Sequence, residues 1–128
     1  MKTKLTLFVT VLLTNCLLAV ELPEGVSTNS KDLLVQAFIK TNGDIVAAIN
    51  LTNKHGDPHA TCDSKGRLVR VHLNDLVGVG NEGMILLTQV PSIQYLFVSG
   101  TSINDEGLAL MTKLRNLTDI HIAGCPIT

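Results

Sequence analysis

The 128-residue chain has few of the residues that several kinds of binding site require. It contains no Trp, one Tyr and three Phe, which are too few rings for a surface that stacks nucleic-acid bases. Basic residues number 10 and acidic residues 11, which excludes a strongly basic nucleic-acid arm. Three cysteines are too few for a fold built from disulfides. The hydrophobic share of 45% is nevertheless enough for the core of one small domain.

The chain also lacks the common catalytic motifs. It has no G-x-S-x-G, no H-E-x-x-H and no G-x-x-x-x-G-K, which are signatures of esterases, metalloproteases and phosphate-binding loops. Gly78, Gly80 and Gly83 have the spacing G-x-G-x-x-G. No βαβ unit with an acidic ribose partner follows them, and Glu82 would repel phosphates. We therefore expect neither enzymatic activity nor a cofactor.

Residues 1–19 have the pattern of a secretory signal peptide. Lys2 and Lys4 provide a positive start, and a largely apolar run extends from Leu5 to Val20. A retained membrane anchor is the alternative, although this run is shorter than the roughly 20 residues that span a bilayer. Cleavage after Ala19 would leave 8 basic and 11 acidic residues. Such a weak negative charge offers no attraction to nucleic acid or anionic membranes.

A third interpretation of this segment involves Cys16. Residues 13–16, Leu-Thr-Asn-Cys, resemble a bacterial lipobox, in which the cysteine is acylated. The lipobox has Gly, Ala or Ser where this chain has Asn15, and the apolar run continues past the cysteine. We expect an exported protein, secreted or periplasmic, that meets a membrane only if Cys16 is lipidated.

The second half of the chain contains three related segments that follow one another. A looser copy begins at Leu68 and the next at Ile93, and the first has one extra residue between Leu76 and Asn81. The second halves of these two copies also align with each other, with Asn-Glu-Gly-Met at 81–84 matching Asp-Glu-Gly-Leu at 105–108. The two later copies align position by position: Ile93, Leu96, Val98, Thr101 and Ile103 with Leu117, Ile120, Ile122, Cys125 and Ile127.

Each copy combines a strand pattern with a helix pattern. Val71 and Leu73 alternate with polar residues, which predicts a strand with one buried face. Asn81 and Asp105 each precede an apolar run at helical spacing, which predicts a polar N-cap and a short helix. One strand and one helix cannot bury an apolar face alone, so we expect the copies to stack.

The spacing L-x-x-L-x-L-x-x-(N/C)-x-L resembles that of leucine-rich-repeat proteins over residues 67–128. The turn at 100–108 and the ending at 123–128 look like the secreted planctomycete type. The resemblance implies an α/β fold, a short right-handed solenoid with parallel strands on its concave face and helices on its convex face. It implies noncovalent recognition without naming the partner. About two and a half repeats are present, so a truncated, non-functional fragment of a longer repeat protein is an alternative.

The residues before the repeats are expected to form a linker and an N-terminal cap. Residues 20–29 have linker composition, and residues 30–66 would cover the open core of the first repeat. Asn29 is the predicted N-cap of a helix that carries Leu33 and Phe38, and Asn42 with Gly43 ends it. Residues 45–51 fit either a strand or a helix, and residues 54–66 fit a polar loop.

The outward positions of the three predicted strands form a candidate binding surface, here called the strand face. Its mixture of aromatic, charged and histidine side chains is typical of surfaces that bind proteins. A solvated sheet face that binds nothing is the alternative. The predicted register places Arg70, Tyr95 and Asp119 in one row and His72, Phe97 and His121 in a second. The strand face consists of Arg70, His72, Asn74, Tyr95, Phe97, Ser99, Asp119 and His121.

A second candidate site lies in the predicted polar loop. His55, His59 and Cys62 could bind a metal, although their spacing H-x3-H-x2-C matches no common zinc motif. A metal-binding protein is therefore the alternative function, and no metal site is assigned. Cys62 and Cys125 should lie too far apart for a disulfide, and Cys125 is expected at a buried position.

The last predicted strand, which includes Ile120, has no neighbour later in the sequence. An uncovered strand edge beside apolar Ile122 and Ile127 favours pairing with another chain. Self-association through this edge is therefore expected alongside an unidentified protein partner.

Overall fold

The computed structural model describes residues 7–13, 16–52 and 59–128. The first strands, β1 (Leu7–Leu13) and β2 (Cys16–Leu22), pair antiparallel in a sheet of their own. Most of this pair falls within the predicted signal peptide, which stays a prediction. Within the described ranges, every helix is too short or too polar to cross a membrane.

Two helices follow, α1 (Leu33–Lys40) and α2 (Ile45–Leu51). The helix predicted around Leu33 is confirmed, but its N-cap is Asp32 and not Asn29. Asn29 lies too early because the chain first makes a turn in which the Ser30 hydroxyl accepts the Asp32 N–H. Of the two alternatives for residues 45–51, the helix is correct.

The larger sheet has four strands in the order β3-β4-β5-β6. The last three run parallel, whereas the first is antiparallel to its neighbour. Val71, Leu96 and Ile120 are register partners on these parallel strands, which confirms the alignment of the three copies. The strands are β3 (Ala60–Cys62), β4 (Leu68–His72), β5 (Tyr95–Phe97) and β6 (Asp119–His121).

A helix lies between each consecutive pair of parallel strands. Helix α3 (Asn81–Leu87) connects β4 to β5, and α4 (Asp105–Leu110) with a 3-10 turn (Met111–Lys113) connects β5 to β6. Met84 of α3 and Leu96 of β5 are fully buried in the same core. The described part of the chain is therefore a mixed α/β structure in which helices and strands share one apolar interior.

The predicted N-caps of α3 and α4 are wrong by one residue. Asn81 and Asp105 are the first helical residues, and the caps are Gly80 and Asn104. The Asn104 side chain accepts the Glu106 N–H at 3.0 Å. Gly80 has no side chain with which to do the same, so the acceptor for α3 must come from elsewhere.

That acceptor is Asp32, whose carboxylate serves the first turns of two helices. One oxygen accepts the N–H groups of Leu34 at 2.9 Å and Val35 at 3.4 Å, in α1. The other accepts those of Gly80 and Gly83, each at 2.8 Å, at the start of α3. Burial raises the pKa of this carboxyl, and the four N–H groups act against that rise. Asp32 thus joins α1, in the segment predicted to be a cap, to the first copy.

The extra residue of the first copy lies where the cap attaches. The Leu33 N–H donates to the Gly78 carbonyl at 2.9 Å. A Cβ at position 78 would lie 2.6 Å from the Leu33 side chain, a distance that only glycine avoids. The longer turn between Leu76 and Asn81 therefore makes room for the start of α1.

Strand β3 was not expected, because residues 54–66 were predicted to form a loop. It pairs with β4, and the His72 N–H donates to the His59 carbonyl at 2.7 Å. This pairing satisfies backbone groups that would otherwise line an open edge of β4. At the other end of the described sheet, β6 is the outer strand and Ile120 is half-buried. Self-association there stays a prediction.

Candidate functional site

The strand face has the register that the repeats predicted. Its side chains occupy exposed or half-buried positions on or just after three parallel strands. Strands in a sheet lie about 4.8 Å apart, so paired residues in a row are direct neighbours. The structure brings together Arg70, Tyr95 and Asp119 in one row, and His72, Phe97 and His121 in the next.

The second row forms a continuous series of ring contacts. The His72 and Phe97 ring centroids are 4.8 Å apart, and those of Phe97 and His121 are 4.5 Å apart. His59 extends the series from β3's side, with its ring centroid 6.1 Å from that of His72. Tilted rings at these separations attract one another and fix each other's positions. His59 was predicted to lie in a metal loop, because a strand as short as β3 has too few residues to show alternation.

The first row is organised by Arg70. Its guanidinium carbon lies 4.9 Å from the Tyr95 ring centroid and 5.5 Å from that of Phe97. These are cation–π distances. Among the residues that the structure describes, the Arg70 side chain has no hydrogen bond and no ion pair. The charge is therefore held over aromatic rings, exposed to solvent, without a carboxylate partner.

Asn74 and Ser99 have a structural task at the ends of the strands. The Asn74 side-chain oxygen accepts the Ser99 N–H at 2.8 Å, and the Ser99 hydroxyl accepts the Ala123 N–H at 3.1 Å. The Asn74 amide nitrogen lies 3.0 Å from His72 Nε2. Since the amide nitrogen can only donate, His72 Nε2 is the acceptor. These two members of the strand face hold neighbouring turns together and are less available to a ligand.

Cys62 on β3 and Cys125, which follows β6, are both free, as predicted. Cys125 is half-buried, more exposed than expected, and its thiol donates to the Val98 carbonyl at 3.1 Å. One repeat earlier, the buried Thr101 hydroxyl donates to the same carbonyl at 2.7 Å. The small polar position therefore bonds backbone in both copies, within its own turn at Thr101 and to the preceding copy at Cys125.

The candidate metal loop gains no support. His55 lies outside the described residues, the His59 ring packs beside His72, and Cys62 is exposed on β3. Within residues 7–13, 16–52 and 59–128, no three His, Cys, Asp or Glu side chains are placed to hold a metal ion.

A second arginine near the strand face is already paired. Arg67 Nε lies 2.9 Å from an Asp63 oxygen, in the turn between β3 and β4. The Arg67 backbone N–H, followed by further hydrogen bonds and the guanidinium charge, lowers the pKa of Asp63. Arg67 and Arg70 thus differ in environment although they are close in sequence.

Comparison of the chain with protein-family models, with curated proteins and with solved structures finds no match. The repeat pattern and the geometry of the strand face are therefore the features from which function can be inferred.

Proposed function

We propose that the chain is an exported leucine-rich-repeat module that recognises a protein partner noncovalently through the strand face. The alignment of the three sequence copies coincides with the register of β4, β5 and β6, which supports a solenoid. In such a solenoid the strand face is concave, and α3 and α4 lie on the convex side. Export is proposed from the pattern of residues 1–19.

The observation that carries this proposal is the ordered aromatic and cationic cluster on an exposed sheet surface. His72, Phe97 and His121 contact one another in a row, and Arg70 covers the rings of Tyr95 and Phe97. Aromatic residues and arginine dominate the energetics of protein interfaces. Their mutual packing also reduces the conformational entropy that binding would cost. No observation among the described residues favours the metal-binding alternative.

Photocrosslinking from two faces tests recognition. A benzoylphenylalanine at position 121, on the strand face, is compared with one at Ala109, an exposed position on α4. Each full-length variant is incubated with the extracellular or envelope fraction of the source cells. We expect a discrete crosslinked protein from position 121 only. Crosslinks from position 109 alone, or equal products from both, would contradict a role for the strand face.

A variant that lacks one aromatic side chain provides the second part of this test. Phe97→Ala removes the ring that contacts His72, His121 and Arg70, and should reduce the crosslink from position 121 at least tenfold. Thermal unfolding of each variant, followed by circular dichroism, checks that the fold is retained. A folded Phe97→Ala variant that crosslinks as well as the parent would identify the strand face as an ordinary solvated surface.

A further inference from the structure

Three side chains of the strand face carry hydrogen-bond donors that the protein itself does not use. Arg70 has five N–H groups, Tyr95 a hydroxyl and His121 a ring N–H. In the part of the chain that the structure describes, none of these side chains is hydrogen-bonded or ion-paired. Asp119 is the one carboxylate among the eight residues of the face. A surface with this excess of donors complements a partner rich in acceptors.

The strongest of these donors is also held in place. Arg70 contacts two ring faces, those of Tyr95 and Phe97, so its position is restricted before any partner arrives. A guanidinium presents a planar fork that fits the two oxygens of a carboxylate. Such preorganisation lowers the entropy lost on binding. A neutral or basic partner could offer oxygen acceptors but would leave this charge without a counter-charge in the interface.

The charges on the strand face also determine at which end of the face a carboxylate can bind. Arg70 lies on β4 and Asp119 on β6, in the same row with β5 between them, a separation of about 9.6 Å. A carboxylate bound at Arg70 can therefore stay clear of Asp119. The chain as a whole has a net charge of −1, so overall charge offers no general attraction for acidic molecules.

We propose that the partner presents an acidic segment, with an Asp or Glu carboxylate bound by Arg70 and the Tyr95 hydroxyl on the β4 side of the strand face. This inference rests on the proposed recognition function and adds the chemistry of the contact. His121 supplies a further donor at the β6 end of the neighbouring row.

A hexaglutamate peptide is the probe, with hexaglutamine as the uncharged comparison. Binding to the full-length protein is followed by the shifts of amide and Arg Nε–H signals in nitrogen–proton NMR spectra, up to about 5 mM peptide. We expect saturable shifts at Arg70 and its neighbours with hexaglutamate and none with hexaglutamine. Arg70→Gln should weaken binding about tenfold, the scale of one charge-assisted hydrogen-bonded pair. Arg70→Lys should recover only part of the affinity because the fork is lost.

Arg67→Gln is the matched control, because it removes the same charge from a nearby side chain that is already paired with Asp63. We expect it to leave hexaglutamate binding unchanged. Asp119→Asn should strengthen binding about twofold, since it removes the one opposing charge of the face. Equal losses in Arg67→Gln and Arg70→Gln would reveal a general charge effect and overturn the proposal.

The remaining outcomes separate this proposal from the recognition function. If hexaglutamate does not bind, or if Arg70→Gln leaves its binding unchanged, the acidic-partner proposal is wrong. A crosslink from position 121 that persists in Arg70→Gln would also overturn it, while recognition through the strand face would stand. If the otherwise unchanged protein gives no crosslink that is specific to position 121, the proposed function itself is wrong.

Discussion

Replacement of Asp32 by alanine tests how the N-terminal cap is attached to the repeats. The Asp32 carboxylate accepts four backbone N–H groups, two in α1 and two at the start of α3. The side chain is 8% exposed, so water cannot readily replace the carboxylate oxygens. Asp44 is a natural control, because it caps α2 through a single exposed hydrogen bond to the Ala47 N–H at 3.0 Å.

The two substitutions should differ several-fold in their effect on the free energy of unfolding. Removal of one N-cap side chain typically costs about 1 kcal/mol, which is the value expected for Asp44→Ala. Asp32→Ala removes the cap from two helices and leaves buried N–H donors unsatisfied, which predicts a loss of about 3–4 kcal/mol. For a domain of this size these losses correspond to decreases in Tm of roughly 4 °C for Asp44→Ala and roughly 12–16 °C for Asp32→Ala.

Urea unfolding of both full-length variants, followed by far-ultraviolet circular dichroism, measures these free energies. Asp32→Asn should lose nearly as much as Asp32→Ala, because its amide nitrogen would meet N–H donors where an acceptor is required. If Asp32→Ala destabilises the protein no more than Asp44→Ala does, Asp32 does not cap two helices. The attachment of the cap would then depend on apolar packing alone.

Two further predictions concern turns. Gly100 has φ +73°, and a Cβ there would lie 2.6 Å from an Asp75 oxygen, so Gly100→Ala should cost about 2–3 kcal/mol. Gly66→Ala, at φ +79° with open space around the Cβ, should cost only about 1 kcal/mol in the same urea assay. If Gly66→Ala and Gly100→Ala lose equal stability, the clash with Asp75 does not contribute. The pKa of Asp63 is lowered, chiefly by the Arg67 N–H, so this carboxylate stabilises the fold above its usual pKa. The difference in unfolding free energy between the parent and Asp63→Asn should therefore shrink as the pH falls below about 4. A difference that stays constant down to about pH 2 would contradict a stabilising role for the Asp63 carboxylate.

The repeating half of the chain was predictable because its pattern indicates both which segments are strands and which residues of neighbouring strands pair. The alignment of the copies matched Val71 with Leu96 and Ile120, and the sheet has this register. One buried face per strand excludes a slip by one residue, because that slip would expose every apolar side chain, and the spacing of the copies selects among the remaining registers. The rows of the strand face follow directly from that alignment.

The cap was harder to predict because its structure depends on contacts distant in sequence. Residues 60–62 form a strand only through pairing with β4, and so short a segment cannot show alternation. The choice of Asp32 over Asn29 as N-cap likewise depends on Gly80 and Gly83, which lie much later in the chain. Local composition favours either residue as a cap, so the tertiary contact decides.

The first copy departs from the second at two points, and both lie where α1 contacts it. Its helix begins after Gly80, where the next repeat has the capping residue Asn104. Its turn is one residue longer and contains Gly78, against which Leu33 packs. A side-chain cap at position 80 would duplicate Asp32, and a Cβ at position 78 would displace α1. The exceptions to the repeat in this chain therefore mark where the non-repeating segment attaches.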